Sequence, residues 1–426
     1  MNEGLTLCVV GAGSSYTPEL IEGLLAHTHE QLPVTDLRLC DPAGDRREIM
    51  AGLAERMIAQ AGRRITVRQG ADLAPLLAGV DFVITQVRVG GMAARALDEK
   101  IPLRHGIIGQ ETTGPGGMFK ALRTIPPLLE IARTVERVAP QAFILNYTNP
   151  SGIIAEAISR HTGARIIGLC SGLPRVQEVI GDLLREEFGE VRSYCVGLNH
   201  LGFLCKFMVG EEDVTTRALA VLEAKAAAAE DYAGLGAPEF IRYLGAVPLS
   251  YLSYYLNRSA SVEKALAREQ TRAEEIMGIE REILEAAADP ATVTKPEALA
   301  RRGGGGYAGI TFRFLRAIAF DLGEELICTV PNQGAVEGLE PEVGVEIVCT
   351  VDRSGPHPVP FGPIPLAFRG LVQAVKAYET LTVEAAVHQS RSLAVEALIN
   401  HPLVGDLPLA EALVDEMLAA HGLNFT

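Results

Sequence analysis

Leu5-Thr6-Leu7-Cys8-Val9-Val10, running directly into Gly11-Ala12-Gly13-Ser14-Ser15-Tyr16-Thr17-Pro18-Glu19-Leu20, is the stretch that decides the fold. The first six residues form an almost unbroken apolar run, the pattern of a strand buried on both faces. Pro18 suits the first turn of a helix, and Leu20, Ile21, Leu24 and Leu25 then recur at helical spacing. Gly11 and Gly13 therefore sit between a buried strand and a helix start. There, backbone N–H groups and the positive helix end would hold a pyrophosphate. Tyr16 stands where a third glycine would complete the fingerprint, and the hydroxyls of Ser14 and Ser15 offer compensating donors.

Outward from this turn the pattern repeats. A strand over 36–40 closes on Asp41, whose carboxylate would accept from ribose hydroxyls and repel a 2′-phosphate, favouring NAD over NADP. A helix over 45–61, a strand over 65–69 and a helical turn over 73–77 follow. Next come a strand over 81–87, a helix over 123–138, and strands over 142–146 and 165–169. Such alternation predicts a doubly wound parallel sheet. Residues 88–117, rich in glycine, read as a long loop carrying Arg88, Arg95 and Glu111; long loops in compact domains usually bind or cover ligands.

Beyond about residue 175 the reading changes to paired strands (191–196, 203–209), an Ala-rich helix over 215–232 and a charged helical segment ending near 288. Strands over 325–330 and 345–350, and helices over 365–378, 383–400 and 409–420, complete it. The expected division is 1–175 for the nucleotide-binding domain and 176–426 for a mixed α/β domain, a soft boundary because late helices can return to cover the first sheet. At about 150 residues per domain, 426 residues suit such a two-lobed chain.

Charge and cysteine usage narrow the function. Thirty-eight Lys and Arg against 53 Asp and Glu give a formal charge of −15. That surface repels a phosphate backbone, so nucleic acid is not an expected partner. An anionic small substrate would need its own local cations, for which Arg95, Arg272 and Arg302 are candidates. Apolar runs fall short of a bilayer span and no secretory pattern is evident, so no membrane partner and a cytoplasmic location are expected. The seven cysteines include no CxxC and read as reduced thiols.

Three more groups carry chemistry. Asn149, in Thr148-Asn149-Pro150, ends a strand at the carboxyl edge of the sheet, where ligands bind. Cys170 ends the next strand on that edge, and His200 follows Gly197-Leu198-Asn199. A thiolate and an imidazole are half of a divalent-metal site, or else a nucleophile and its base. Tyr251, Tyr254 and Tyr255 have the spacing of one helix face, and a tyrosine near cations can act as a base.

Together the segments Val9–Leu20, Arg88–Gly117, Asn146–Gly152, Gly168–Cys170, Gly197–Phe203, Tyr251–Leu256, Thr271–Met277, Arg302–Tyr307 and Pro331–Gly334 resemble glycoside hydrolase family 4, in particular its 6-phospho-β-glucosidase branch. The resemblance implies a Rossmann-like sheet with a C-terminal mixed domain, the lactate/malate dehydrogenase-like architecture. It implies NAD and Mn²⁺ (or another divalent metal) as cofactors and a homodimer or homotetramer. It assigns Cys170 and His200 to the metal, Arg95, Asn149 and Arg272 to the substrate, and the base to Tyr251, with Tyr243 as the alternative. The substrate would be a phosphorylated disaccharide or β-glucoside. It would be cleaved by transient oxidation at C3, loss of the C2 proton, elimination and addition of water, so that NAD ends unchanged; this scheme stands outside the usual two-carboxylate chemistry.

One segment departs from the family. After Cys170 the chain reads Ser171-Gly172-Leu173-Pro174, where the β-branch has Asn-x-Pro and the α-branch an acidic Asp. Ser171 cannot serve as that acid, which argues against the α-glucosidase branch and leaves the phosphate preference open. The alternatives are a family member acting on an unphosphorylated sugar, an NAD-linked 2-hydroxy-acid dehydrogenase of the malate dehydrogenase type, and a non-catalytic NAD sensor.

Overall fold

The computed structural model describes residues 4–303 and 305–426. The opening run is strand β1 (Leu5–Val10), and its last four residues are buried. Helix α1 (Thr17–Leu25) follows the glycine turn, with Pro18 in its first turn. The chain continues through β2 (Val34–Cys40), α2 (Gly44–Gln60), β3 (Thr66–Gly70), α3 (Leu73–Leu77) and β4 (Phe82–Thr85). Strand β1 pairs in parallel with β2 on one side and β4 on the other, so the Gly-rich turn leaves the middle of the sheet.

Next come α4 (Gly91–Arg104), α5 (Gly114–Val138), β5 (Phe143–Asn146), α6 (Ser151–His161), β6 (Arg165–Gly168) and α7 (Gly172–Phe188). The parallel strands lie in the order β3-β2-β1-β4-β5-β6, the doubly wound dinucleotide-fold order with its switch point beside β1. The expected sheet is therefore present.

Residues 88–117 correct the loop expectation. They hold helix α4 and the start of α5, which begins nine residues before the predicted 123. Their glycines serve close packing. A Cβ on Gly116 would lie 2.4 Å from the Gln110 carbonyl oxygen and 2.6 Å from that of Asp98, and one on Gly117 would lie 2.6 Å from the Thr112 backbone. Glycine density therefore records the contact of α4, its following turn and α5.

The later half builds a second sheet and also extends the first. Strands β7 (Arg192–Leu198) and β8 (Leu201–Val209) form an antiparallel hairpin, closed by the turn Asn199-His200. Strands Glu324–Pro331, Gly344–Asp352 and Gly355–Pro358 then return to the first sheet and extend it beyond β6, each antiparallel to its neighbour. The break expected at 379–382 lies instead at 389–390: residues 366–388 form one helix, with buried Glu379 and Thr382 on its inward face, and 391–400 form the next. The main core runs through both halves. Among the described residues no helix is long and apolar enough to cross a membrane.

Candidate functional site

The carboxyl edge of the parallel sheet gathers the site. Gly11 adopts φ +87°, and a Cβ there would lie 2.8 Å from the Gln86 backbone. Only glycine lets β1 and β4 approach this closely at the turn. The Gly13 N–H donates to Asp41 Oδ2 at 2.8 Å, and the Ala43 N–H donates to Oδ1. Asp41 thus braces the turn from the end of β2 while remaining half-buried at the mouth of a cavity of about 690 Å³.

That cavity runs from Cys40, Asp41 and Leu73 past Gly11, Gly13 and Ser14 to Lys120, Tyr147 and Asn149. Its length from the β2 edge to the ends of β5 and α5, the glycine cradle and a carboxylate after β2 suit a dinucleotide. Ser14 lines it. Ser15 does not, since its buried hydroxyl donates to Glu280 Oε1 at 3.0 Å. Glu280 also holds Arg302, whose guanidinium lies 3.9 Å from the Tyr16 ring centroid, while exposed Arg301 pairs with Glu282. In the Arg302–Tyr307 segment, Gly304 lies outside the described residues.

Cys170 and His200 come together from different sheets. Cys170 follows β6, and the Gly172 N–H donates to its sulfur at 3.4 Å. His200 occupies the hairpin turn at φ +66°, a left-handed conformation that costs a non-glycine residue about 1–3 kcal/mol. Sγ and Nε2 lie 3.7 Å apart, less than the ~4.4 Å sum of a sulfur–metal and a nitrogen–metal bond. One ion can therefore reach both. Burial drops the His200 pKa to about 4, keeping the imidazole neutral as a ligand must be, and pushes the Cys170 thiol up to about 12. A bound cation reverses the second effect by favouring the thiolate. Among the described residues no group of three or more His, Cys, Asp or Glu gathers to hold a metal, so the pair leaves most coordination positions free for other oxygens.

Tyr251 stacks on His200, ring centroids 4.5 Å apart, whereas Tyr243 is 74 % exposed. The three tyrosines do not share one face. A 3₁₀ turn over Ser250–Leu252 breaks the register, so Tyr254 packs edge-on to Tyr251 while Tyr255 turns into the core toward His401. Burial is the main force raising the Tyr251 phenol, with the Cys170, Tyr254 and Glu111 charges adding to it and Arg95 opposing.

A charged cluster lies alongside. Glu111 binds Arg88 at 2.6 Å, Arg95 at 3.0 Å and Lys120 at 2.6 Å. The three cations outweigh the burial cost and hold Glu111 well below the usual carboxylate range. Burial and Arg88 bring Lys120 down to about 7. Arg95 also binds Glu99 at 2.7 Å. The cluster joins the first cavity to a second, of about 980 Å³, lined by Arg95, Tyr254, Arg268 and Arg272. Arg272 is fixed there by Glu275 at 2.6 Å and by the Arg302 carbonyl at 2.8 Å. Asn149 opens on the first cavity, and Arg95 and Arg272 on the second. Sequence reasoning missed Lys120, buried within an apolar helix, and Glu346, a lone acid in a buried strand.

A dehydrogenase of the malate type would require a carboxylate behind His200. Its observed neighbours are instead the thiol and a tyrosine ring.

The fold is of the Rossmann-like class. It is similar to the malate dehydrogenase of Aeropyrum pernix at a TM-score of 0.50, 15 % identity, and 89 % and 97 % coverage of the two chains. Residues 6–186 match the family described as Family 4 glycosyl hydrolase, and residues 195–404 match the Family 4 glycosyl hydrolase C-terminal domain. The chain belongs to family 4 of the glycosyl hydrolases. It is 36 % identical to a probable 6-phospho-beta-glucosidase of Bacillus subtilis, over 99 % of this chain and 97 % of the relative. It also superposes on the 6-phospho-beta glucosidase of Thermotoga maritima solved with manganese, NAD⁺ and glucose-6-phosphate. The TM-score is 0.88 at 33 % identity, with 99 % of each chain covered.

Proposed function

We propose that the chain hydrolyses 6-phospho-β-glucosides with the help of NAD and a divalent cation such as Mn²⁺. The observation that carries the reading is the arrangement of Cys170, His200 and Tyr251. Sulfur and imidazole nitrogen lie 3.7 Å apart and the tyrosine ring stacks on that imidazole, at the same edge of the parallel sheet as the Gly11 turn. When bound, the dinucleotide supplies reversible oxidation at the sugar C3, and the cation polarises the neighbouring oxygens.

The chain's own residues do the rest. Gly11, Gly13 and Ser14 hold the pyrophosphate, and Asp41 receives the ribose hydroxyls. Cys170 and His200 hold the cation. Asn149, Arg95 and Arg272 hold and orient the sugar, with Arg95 and Arg272 supplying local positive charge on a molecule of formal charge −15. Tyr251 Oη takes the C2 proton once C3 is at the ketone level, and the aglycone leaves from C1. No pair of carboxylates is needed. The reading carries a cytoplasmic, homo-oligomeric enzyme whose thiols stay reduced.

The test is an assay with p-nitrophenyl β-glucoside 6-phosphate, NAD, Mn²⁺ and a thiol reductant in D₂O. The expected result is hydrolysis without net NADH, with deuterium at C2 of the product. NADH accumulating with a hydroxy acid, or turnover of the unphosphorylated glucoside alone, would overturn it.

A further inference from the structure

The returning C-terminal strand brings one more ionisable group to the metal pair. Gly168, Thr329 and Glu346 stand in register across three adjacent strands, at the end of the sheet where β6 leads to Cys170. Glu346 is 1 % exposed, and its Oε1 accepts from Asn199 Nδ2 at 3.2 Å. Asn199 immediately precedes His200 in the hairpin turn.

Two buried atoms here lack a protein partner, Glu346 Oε2 and Asn199 Oδ1. Burying a carboxyl with half its hydrogen-bonding capacity unused is costly, and a packed apolar side chain would avoid that cost. The approach of Asn199 is itself specified, because a Cβ on Gly152 would lie 3.0 Å from the Asn199 Cβ. Glycine after Asn149-Pro150-Ser151 thus makes room for the amide.

We propose that Glu346 is a positioning residue for the metal pair. By accepting an N–H of the Asn199 amide, it anchors the hairpin turn immediately before His200 and so sets where the imidazole stands against Cys170. Groups behind metal ligands orient them and set their basicity, and their removal typically costs about 10- to 100-fold in metal affinity. The inference rests on the assignment of Cys170 and His200 to a cation.

The experiment measures Mn²⁺ affinity by calorimetry on the full chain with NAD, and the sulfur-to-metal charge-transfer absorption with Co²⁺ as probe. Glu346→Met keeps the volume and removes the acceptor; about 10- to 100-fold weaker Mn²⁺ binding and a shifted Co²⁺ band are expected, with NAD affinity unchanged. Glu346→Gln keeps an acceptor oxygen and should stay within about threefold of wild type. Asn199→Ala should match Glu346→Met, and the double variant should lose little more than either single one. Wild-type affinity in Glu346→Met, or additive losses in the double variant, would overturn the proposal. Should Glu346→Met not fold, wild-type affinity and an unshifted band in Asn199→Ala overturn it equally. Cys170→Ser separates the two levels. If it leaves Mn²⁺ binding unchanged, the metal assignment itself falls and this inference with it.

Discussion

At the scale of single residues, the weight falls on Tyr251. A phenol raised by burial is a poor base, and it becomes a useful one only when positive charge lies close to its oxygen. Arg95 supplies one such charge, and a cation on Cys170 and His200 would supply another. Tyr251→Phe should therefore lower kcat by about 10²- to 10⁴-fold, the range of a lost proton-transfer group. It should leave NAD and Mn²⁺ affinities within about twofold, and deuterium incorporation at C2 should stop with the loss of turnover. A Tyr251→Phe variant that keeps full exchange would send the base elsewhere. Asp41 and Cys170 were legible as residues at strand ends, and His200 and Tyr251 through the family resemblance of their segments. Glu346 and Lys120 were not. Their significance comes from partners 147 and 9 residues away, brought together by strand register and by the packing of α5 on the preceding turn.

At the scale of elements, the parallel strands could be read from their apolar runs, but helix α4 could not. Its sequence mixes Gly91, Pro102 and several charges, and Arg95, Asp98 and Glu99 are buried within it. No apolar stripe marks such a helix, because its inward face is satisfied by ion pairs: Arg95 with Glu99, and Asp98 with Arg123. The same logic separates two glycines. Gly116 is hemmed in by backbone oxygens that cannot move aside, so Gly116→Ala should destabilise by about 1–3 kcal/mol. It should also reduce activity, since α4 and α5 carry Arg95 and Lys120. Gly181, inside α7, has nothing within 4 Å of its would-be Cβ and ordinary helical backbone, so Gly181→Ala should stabilise by about 0.5–1 kcal/mol. Urea unfolding midpoints decide both, and equal shifts in the same direction would refute the packing account of the glycines.

At the scale of the whole molecule, the two halves are joined by a buried aromatic and imidazole junction as well as by the shared sheet. His401 is fully buried, with the Tyr378 ring at 4.4 Å and the Tyr255 ring at 5.7 Å. The Leu403 N–H donates to its Nδ1, so Nε2 carries the proton and faces the Tyr255 hydroxyl at 3.5 Å. Tyr378 in turn donates to the Gly114 carbonyl oxygen at the start of α5, at 2.9 Å. The junction thus ties the segment after the hairpin and the late 366–388 helix to the start of α5. Burial drops the His401 pKa from 6.5 to about 3, with the Arg258 charge assisting. As pH falls below 6.5 the unfolded chain takes up this proton first, while the folded chain stays unprotonated until about 3. Folded stability from this one group is therefore complete above pH 6.5. It is lost progressively as pH falls toward 3, with a slope of at most about 1.4 kcal/mol per pH unit. His401→Gln cannot bind the proton in either state. It should be less stable than wild type at pH 7.5, through its imperfect fit between the tyrosines, but its deficit should shrink steadily between pH 6.5 and 4. Urea unfolding of the two proteins across that range measures the difference directly. A deficit that stays constant with pH would mean that the His401 imidazole takes up its proton over the same pH range in the folded and unfolded chains, so that burial does not lower its pKa.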